Sequence, residues 1–136
     1  MTARRAWRGV FALLLAVVTF LTLTPNPENT PSGFAIARLI AQWMFADTAL
    51  ADKVGHFLAY AALGLTASLA DLRLRDRRIV AILAIAAYGA MLEFAQGAGG
   101  VRTGDVIDAI ANTGGAVSAY LAFVFVGRVT GRARPA

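Results

Sequence analysis

The 136-residue chain contains no cysteine. That excludes a disulfide framework, a thiolate metal site and a cysteine nucleophile. It has one histidine, His56, and one lysine, Lys53, so imidazole or ammonium chemistry rests on those two positions. Charged residues make up only 15% of the chain, against about 25% in ordinary soluble proteins. Hydrophobic residues reach 58%, where about 45–50% is usual. This balance points to a chain that crosses a membrane. Gly-x-Ser-x-Gly, His-Glu-x-x-His and the P-loop are all missing, which argues against serine-hydrolase, zincin and nucleotide-driven chemistry. There is no repeat at the periods of about 20–50 residues that mark an array.

The charge that is present is unevenly placed. Thirteen basic residues, twelve of them Arg, oppose eight acidic ones for a net +5. A basic chain raises the question of nucleic acid. Once the apolar runs are removed no basic face remains, and we expect no nucleic-acid partner. Most of the Arg instead cluster at run ends: Arg4, Arg5 and Arg8; the DLRLRDRR loop at 71–78; and Arg128, Arg132 and Arg134.

Four apolar runs predict an all-α, polytopic four-transmembrane-helix bundle forming one domain over 1–136. The spans are expected at about 7–24, 53–70, 79–96 and 105–127. The first run has a basic start, as a signal peptide does, but it is long and ends in LTLTPNP without Ala-x-Ala. It reads as an uncleaved span, with a cleaved signal as the alternative. Pro25, Pro27 and Pro31 then break the helix. FAIARLIAQWMF follows in a helical pattern too short to cross, and it predicts a short interfacial helix at about 32–46. A loop helix packed on the bundle is the alternative.

If every run crosses, the three basic clusters fall on one side, which the positive-inside rule makes cytoplasmic. The expectation is a multi-pass protein of the inner (cytoplasmic) membrane with both termini cytoplasmic. The opposite side then receives an unusual set of polar residues. Asp52, His56 and Tyr60 recur at i, i+4 and i+8, and Gly64 and Ser68 continue their stripe as small residues. Glu93 and Gln96 are i, i+3, while Asp105, Asp108, Asn112 and Gly115 follow at +3, +4 and +3. A charge at the centre of a membrane helix costs about 2.5–3.5 kcal/mol, so these faces should turn inward toward one another. The bland readings stand beside this. Asp52 and Asp105 suit helix N-caps, terminal charges can snorkel, and a lone His is often structural.

His56, Glu93 and Asp108 are the candidates for proton transfer, hence candidate catalytic residues. Asp52, Lys53, Tyr60, Gln96, Arg102, Asp105 and Asn112 are the candidate binding residues. Counting Asp52, Glu93, Asp105 and Asp108 against Lys53 and Arg102, the set nets −2 with His neutral. That invites a cation, including a divalent metal, or a cationic ligand group. Arg102 and Lys53 could instead grip a phosphate.

Asp52-Lys53-x-x-His56 with Tyr60, then Glu93-x-x-Gln96, then Arg102, Asp108 and Asn112-x-x-Gly115, resembles the VanZ-like family of small bacterial membrane proteins. The matching region covers about residues 50–120. The family is named for a member associated with low-level teicoplanin resistance, so the resemblance implies a bacterial envelope role. Gly97-Ala98-Gly99-Gly100-Val101 departs from the aromatic or Pro residues often found there in the family. The expected partners are membrane lipids or lipid-linked envelope precursors, with an oligomer possible. A small proton- or cation-coupled transporter and a non-catalytic scaffold are the competing functions.

Overall fold

The computed structural model describes residues 3–23, 39–44, 46–47, 50–98 and 105–131. Four long helices carry the architecture: α1 (Ala3–Leu23), α2 (Ala51–Leu69), α3 (Arg78–Ala98) and α4 (Val106–Val129). Each lies within about one turn of an expected span. Of the expected short helix at 32–46, residues 39–44 are helical, with Ala41 buried and Trp43 exposed. Residues 32–38 and 45 lie outside the described residues.

By length and composition, α1, α3 and α4 are apolar enough to cross a membrane. The second expected span is helical, but α2 does not join them, because Asp52, Lys53, His56, Tyr60 and Ser68 dilute its apolar face. The protein is a multi-pass, all-helical membrane protein, and large apolar side chains such as Phe20, Phe94, Ile110 and Phe125 cover its outside.

The helices run alternately up and down. At one end Arg4 of α1 meets Asp71, just past α2, at 3.3 Å, and Arg78 at the start of α3 lies 5.9 Å from the Phe123 ring centroid near the end of α4. At the other end Gln96 of α3 donates to the Thr22 carbonyl of α1, and Lys53 of α2 meets Asp105 at the start of α4. The first end therefore gathers Arg4, Arg73, Arg78 and Arg128; the second gathers the polar set.

Apolar surfaces gain nothing by leaving lipid for another helix, so close packing must hold the bundle. The α2–α4 seam shows how. A Cβ on Gly64 would stand 2.5 Å from the Ala116 carbonyl oxygen, and one on Gly115 would overlap the Phe57 carbonyl. Tyr60, Leu63, Ala67, Ile82, Ile85 and Ala116 form the core, with Phe11, Leu14, Leu15 and Val18 of α1 laid against it.

The 71–78 loop is tightly built. Asp71 ends α2 at φ 53°, while the Leu72 N–H donates to the Ala67 carbonyl at 2.9 Å. Arg75 and Asp76 are both left-handed, and Leu74 and Arg77 exchange two backbone hydrogen bonds across them. That is the geometry of a two-residue hairpin turn with positive φ at both central positions. Asp71 also accepts from Arg73 at 3.1 Å and from Arg78 at 2.7 Å. Burial alone would raise its carboxyl, but the Arg78 and Arg73 guanidiniums outweigh that and hold it below the ordinary value.

Candidate functional site

The polar end is assembled from the first turns of α2 and α4 and the last turns of α3. Asp105 caps α4, its Oδ1 accepting from the Ile107 N–H at 2.8 Å. Its other oxygen, Oδ2, lies 2.6 Å from Lys53 Nζ. Asp105 is thus both the expected cap and a partner in the cluster. Asp108, three residues on, is buried and also stands 2.6 Å from Lys53 Nζ, while Asp52 lies 3.5 Å from it. A single ammonium sits among three carboxylates.

One turn deeper, His56 occupies the centre. Its Nδ1 is 3.1 Å from Asn112 Oδ1 and 3.5 Å from Glu93 Oε1; its Nε2 is 3.8 Å from both Asp52 Oδ1 and Asp108 Oδ2. Asn112, 1% exposed, turns its amide nitrogen to Glu93 Oε1 at 3.5 Å. With the amide so placed, Asn112 offers its oxygen to the ring, and Nδ1 is the donor. Glu93 itself is 4% exposed. The i, i+4 spacing of Asp52 and His56, and of Asp108 and Asn112, therefore meets across two helices as a ladder of paired groups.

Tyr60 continues the α2 stripe but lies below the ladder. It is 1% exposed, and its ring packs where a Cβ on Gly89 would be, 2.7 Å away. Its hydroxyl has no hydrogen-bond partner among the described residues. Gln96 departs from the cluster. Three residues beyond Glu93, it is rotated about 60° around the helix and faces α1 instead. Its side chain is buried and donates to the Thr22 carbonyl. Arg102 lies outside the described residues.

Sequence reasoning missed Thr22, because a bond to a backbone carbonyl leaves no mark on residue type. It missed the Thr19–Tyr88 hydroxyl pair, 2.8 Å apart between α1 and α3, for want of any periodic polar partner. Gly89 had a usable signal: it stands one turn before Glu93 on the same face.

Among the described residues, Asp52, His56 and Asp108 are a group whose ligand atoms all lie within 4.8 Å of one another. One imidazole and two carboxylates suit a divalent cation in kind. Lys53 already places its own positive charge between the two carboxylates.

Beside the ladder, a groove of about 360 Å³ runs between α3 and α4. Its walls are Ala90, Phe94, Gly97, Val106 and Ala109, and two carboxylate residues, Glu93 and Asp105, also line it. Phe94 and Val106 are each 76% exposed, so the groove opens on the apolar outer surface.

A family model described as VanZ/LLP1 matches residues 9–127. The chain belongs to the VanZ/LLP1 family. The family match takes in most of α1 and of α4, well beyond the 50–120 stretch whose motifs carried the resemblance. Comparisons with curated proteins and with solved structures give no match. The VanZ/LLP1 assignment thus rests on the family model together with the ordered polar set.

Proposed function

We propose that this VanZ/LLP1 protein uses the polar end of its bundle to bind or process an amphipathic or lipid-linked molecule of the bacterial envelope. The observation that carries the reading is the lateral groove between α3 and α4, apolar along its walls and lined by Glu93 and Asp105 beside the His56 ladder. A molecule entering from the lipid would leave its tail against Phe94 and Val106 and bring its head to the carboxylates. His56, Glu93 and Asp108 would act on that head; Asp52, Lys53, Asn112 and Asp105 would position it.

In this reading all four helices span the inner membrane, with α2 sheltered by its neighbours. The arginine-rich end lies in the cytoplasm and the site in the outer leaflet, following the positive-inside rule. An effect on teicoplanin susceptibility would follow if the bound molecule belongs to cell-wall assembly.

The test is lipid analysis of the purified protein by mass spectrometry, comparing wild type with Glu93→Gln and Ala109→Phe. Enrichment of a particular lipid over the bulk membrane, lost in both variants, supports the reading. Identical bulk composition in all three sinks it. The continuous file Asp52–His56–Glu93 favours a second reading, proton or cation coupling. Proteoliposomes that show no flux across a pH gradient would remove it.

A further inference from the structure

The charge of the bundle is divided between its ends. All eight described arginines lie at the end built from the start of α1, the 71–78 loop and the last turns of α4. Asp71 and Asp76 are the only described acids there, so eight positive charges oppose two and the end nets +6. The undescribed residues that adjoin it in sequence, 1–2 and 132–136, contain no Asp or Glu and add Arg132 and Arg134.

Asp71 sorts these arginines into two groups. Its carboxylate holds Arg4 at 3.3 Å, Arg73 at 3.1 Å and Arg78 at 2.7 Å, and Arg78 also lies 5.9 Å from the Phe123 ring centroid. That knot draws the ends of all four helices together. The guanidiniums of Arg5, Arg8, Arg75, Arg77 and Arg128 make no hydrogen bond or ion pair among the described residues.

Their surroundings are those of a membrane interface. Trp7 is 36% exposed between Arg5 and Arg8, and Leu74 is 49% exposed between Arg73 and Arg75. Apolar side chains interleaved with arginine suit the level where acyl chains give way to headgroups. Arg8 reaches furthest inward. Four residues after Arg4 and three before Phe11, it shares the face of α1 that packs against the core, about 6 Å deeper than Arg4. A guanidinium at that depth with no carboxylate beside it calls for an anion, and the anion found at that level of a bilayer is a lipid phosphate.

We infer that this end is a binding surface for anionic phospholipid, whose headgroup phosphates are taken by Arg8, Arg75 and Arg77. A guanidinium presents paired N–H donors that match two phosphate oxygens. A zwitterionic lipid brings its own cation to the same place and cancels part of the attraction, so lipids of net negative charge are preferred. The surface lies at the opposite end from the His56 ladder and does not rest on the function proposed for it.

Trp7 is the reporter. Trp43→Phe leaves it as the one tryptophan of the chain. The protein is reconstituted in phosphatidylcholine vesicles carrying a small, equal fraction of brominated phosphatidylglycerol or brominated phosphatidylcholine, whose bromines quench tryptophan on contact. Phosphatidylglycerol should quench Trp7 more strongly. Arg8→Gln and Arg77→Gln should each lower that preference about fivefold. Arg75→Asn should do the same, and asparagine suits the left-handed backbone there, so the turn survives the change. Arg73→Gln, whose charge Asp71 already offsets, should keep most of the preference. Excess soluble glycerol phosphate should not displace the lipid, because it has no chains to hold it at the interface. Ala109→Phe, at the other end, should leave the Trp7 signal as it is. Equal quenching by the two lipids overturns the inference. Displacement by glycerol phosphate overturns the lipid as occupant, and an equal loss in Arg73→Gln overturns the choice of residues.

Discussion

At the scale of single residues, Asn112 is the most constrained polar group at the site, since it joins His56 to Glu93 at 1% exposure. Asn112→Leu keeps the volume roughly and removes both contacts, leaving buried Glu93 and half-buried His56 short of one hydrogen bond each. We expect a loss of about 1–3 kcal/mol, read by thermal unfolding in detergent. Asp71 makes the opposite kind of prediction, one that depends on pH. Its carboxyl is held below the ordinary 3.8, so its stabilising contribution is complete above that value and is lost as pH falls through the lowered folded value. Wild type should therefore be more stable than Asp71→Asn at neutral pH, and the gap should narrow as the pH is taken below 3.8. A gap unchanged by acid would show that the Arg73 and Arg78 contacts contribute nothing through charge. Residue types in the sequence were enough to nominate His56, Glu93, Asp108 and Asn112. They could not show that Gln96 turns to a backbone carbonyl on α1, because the partner there is a peptide group shared by every residue.

At the scale of elements, the α2–α4 seam was legible as a small-residue stripe, and its two neighbouring glycines now separate. A Cβ at Gly115 meets the Phe57 carbonyl, whereas one at Gly114 finds only the Phe57 ring at 3.7 Å. Gly115→Ala should cost about 1–3 kcal/mol by forcing the helices apart. Gly114→Ala should be neutral or stabilising by up to about 1 kcal/mol, since alanine is the better helix former. Unfolding of both variants in the same detergent checks the contrast; equal losses would mean that the seam is not as tight as drawn. The 71–78 loop was legible only as a polar break. That it turns through Arg75 and Asp76 with two left-handed residues had no signal such as Asn-Gly, because arginine rarely takes that role and aspartate alone does not mark it. The groove was not legible either: it depends on how far α3 and α4 diverge around Phe94 and Val106, and spacing along one helix cannot report that.

For the whole molecule, the apolar runs were enough to place four helices, and the match to the VanZ/LLP1 family model agrees with the ordered polar set. The orientation proposed from the arginines can be checked directly, because a chain without cysteine needs no background removed. A cysteine at Asp47 should react with a membrane-impermeant thiol reagent added to intact cells. One at Arg75 should react only after the cells are opened, and the reverse pattern would invert the topology. The polar load of α2 bears on how the protein is made. As the chain emerges, Lys53 and His56 are synthesised some fifty residues before Asp108 and Asn112, with which they will pair. Until α4 arrives, α2 carries its unsatisfied face in a helix that is not apolar enough to commit itself to lipid. Insertion of the second helix should thus be settled late and from outside itself, by the last helix rather than by its own composition. A chain ending after Ala98 should leave the Arg75 cysteine reactive from outside in intact cells, and extending it through Val129 should abolish that labelling.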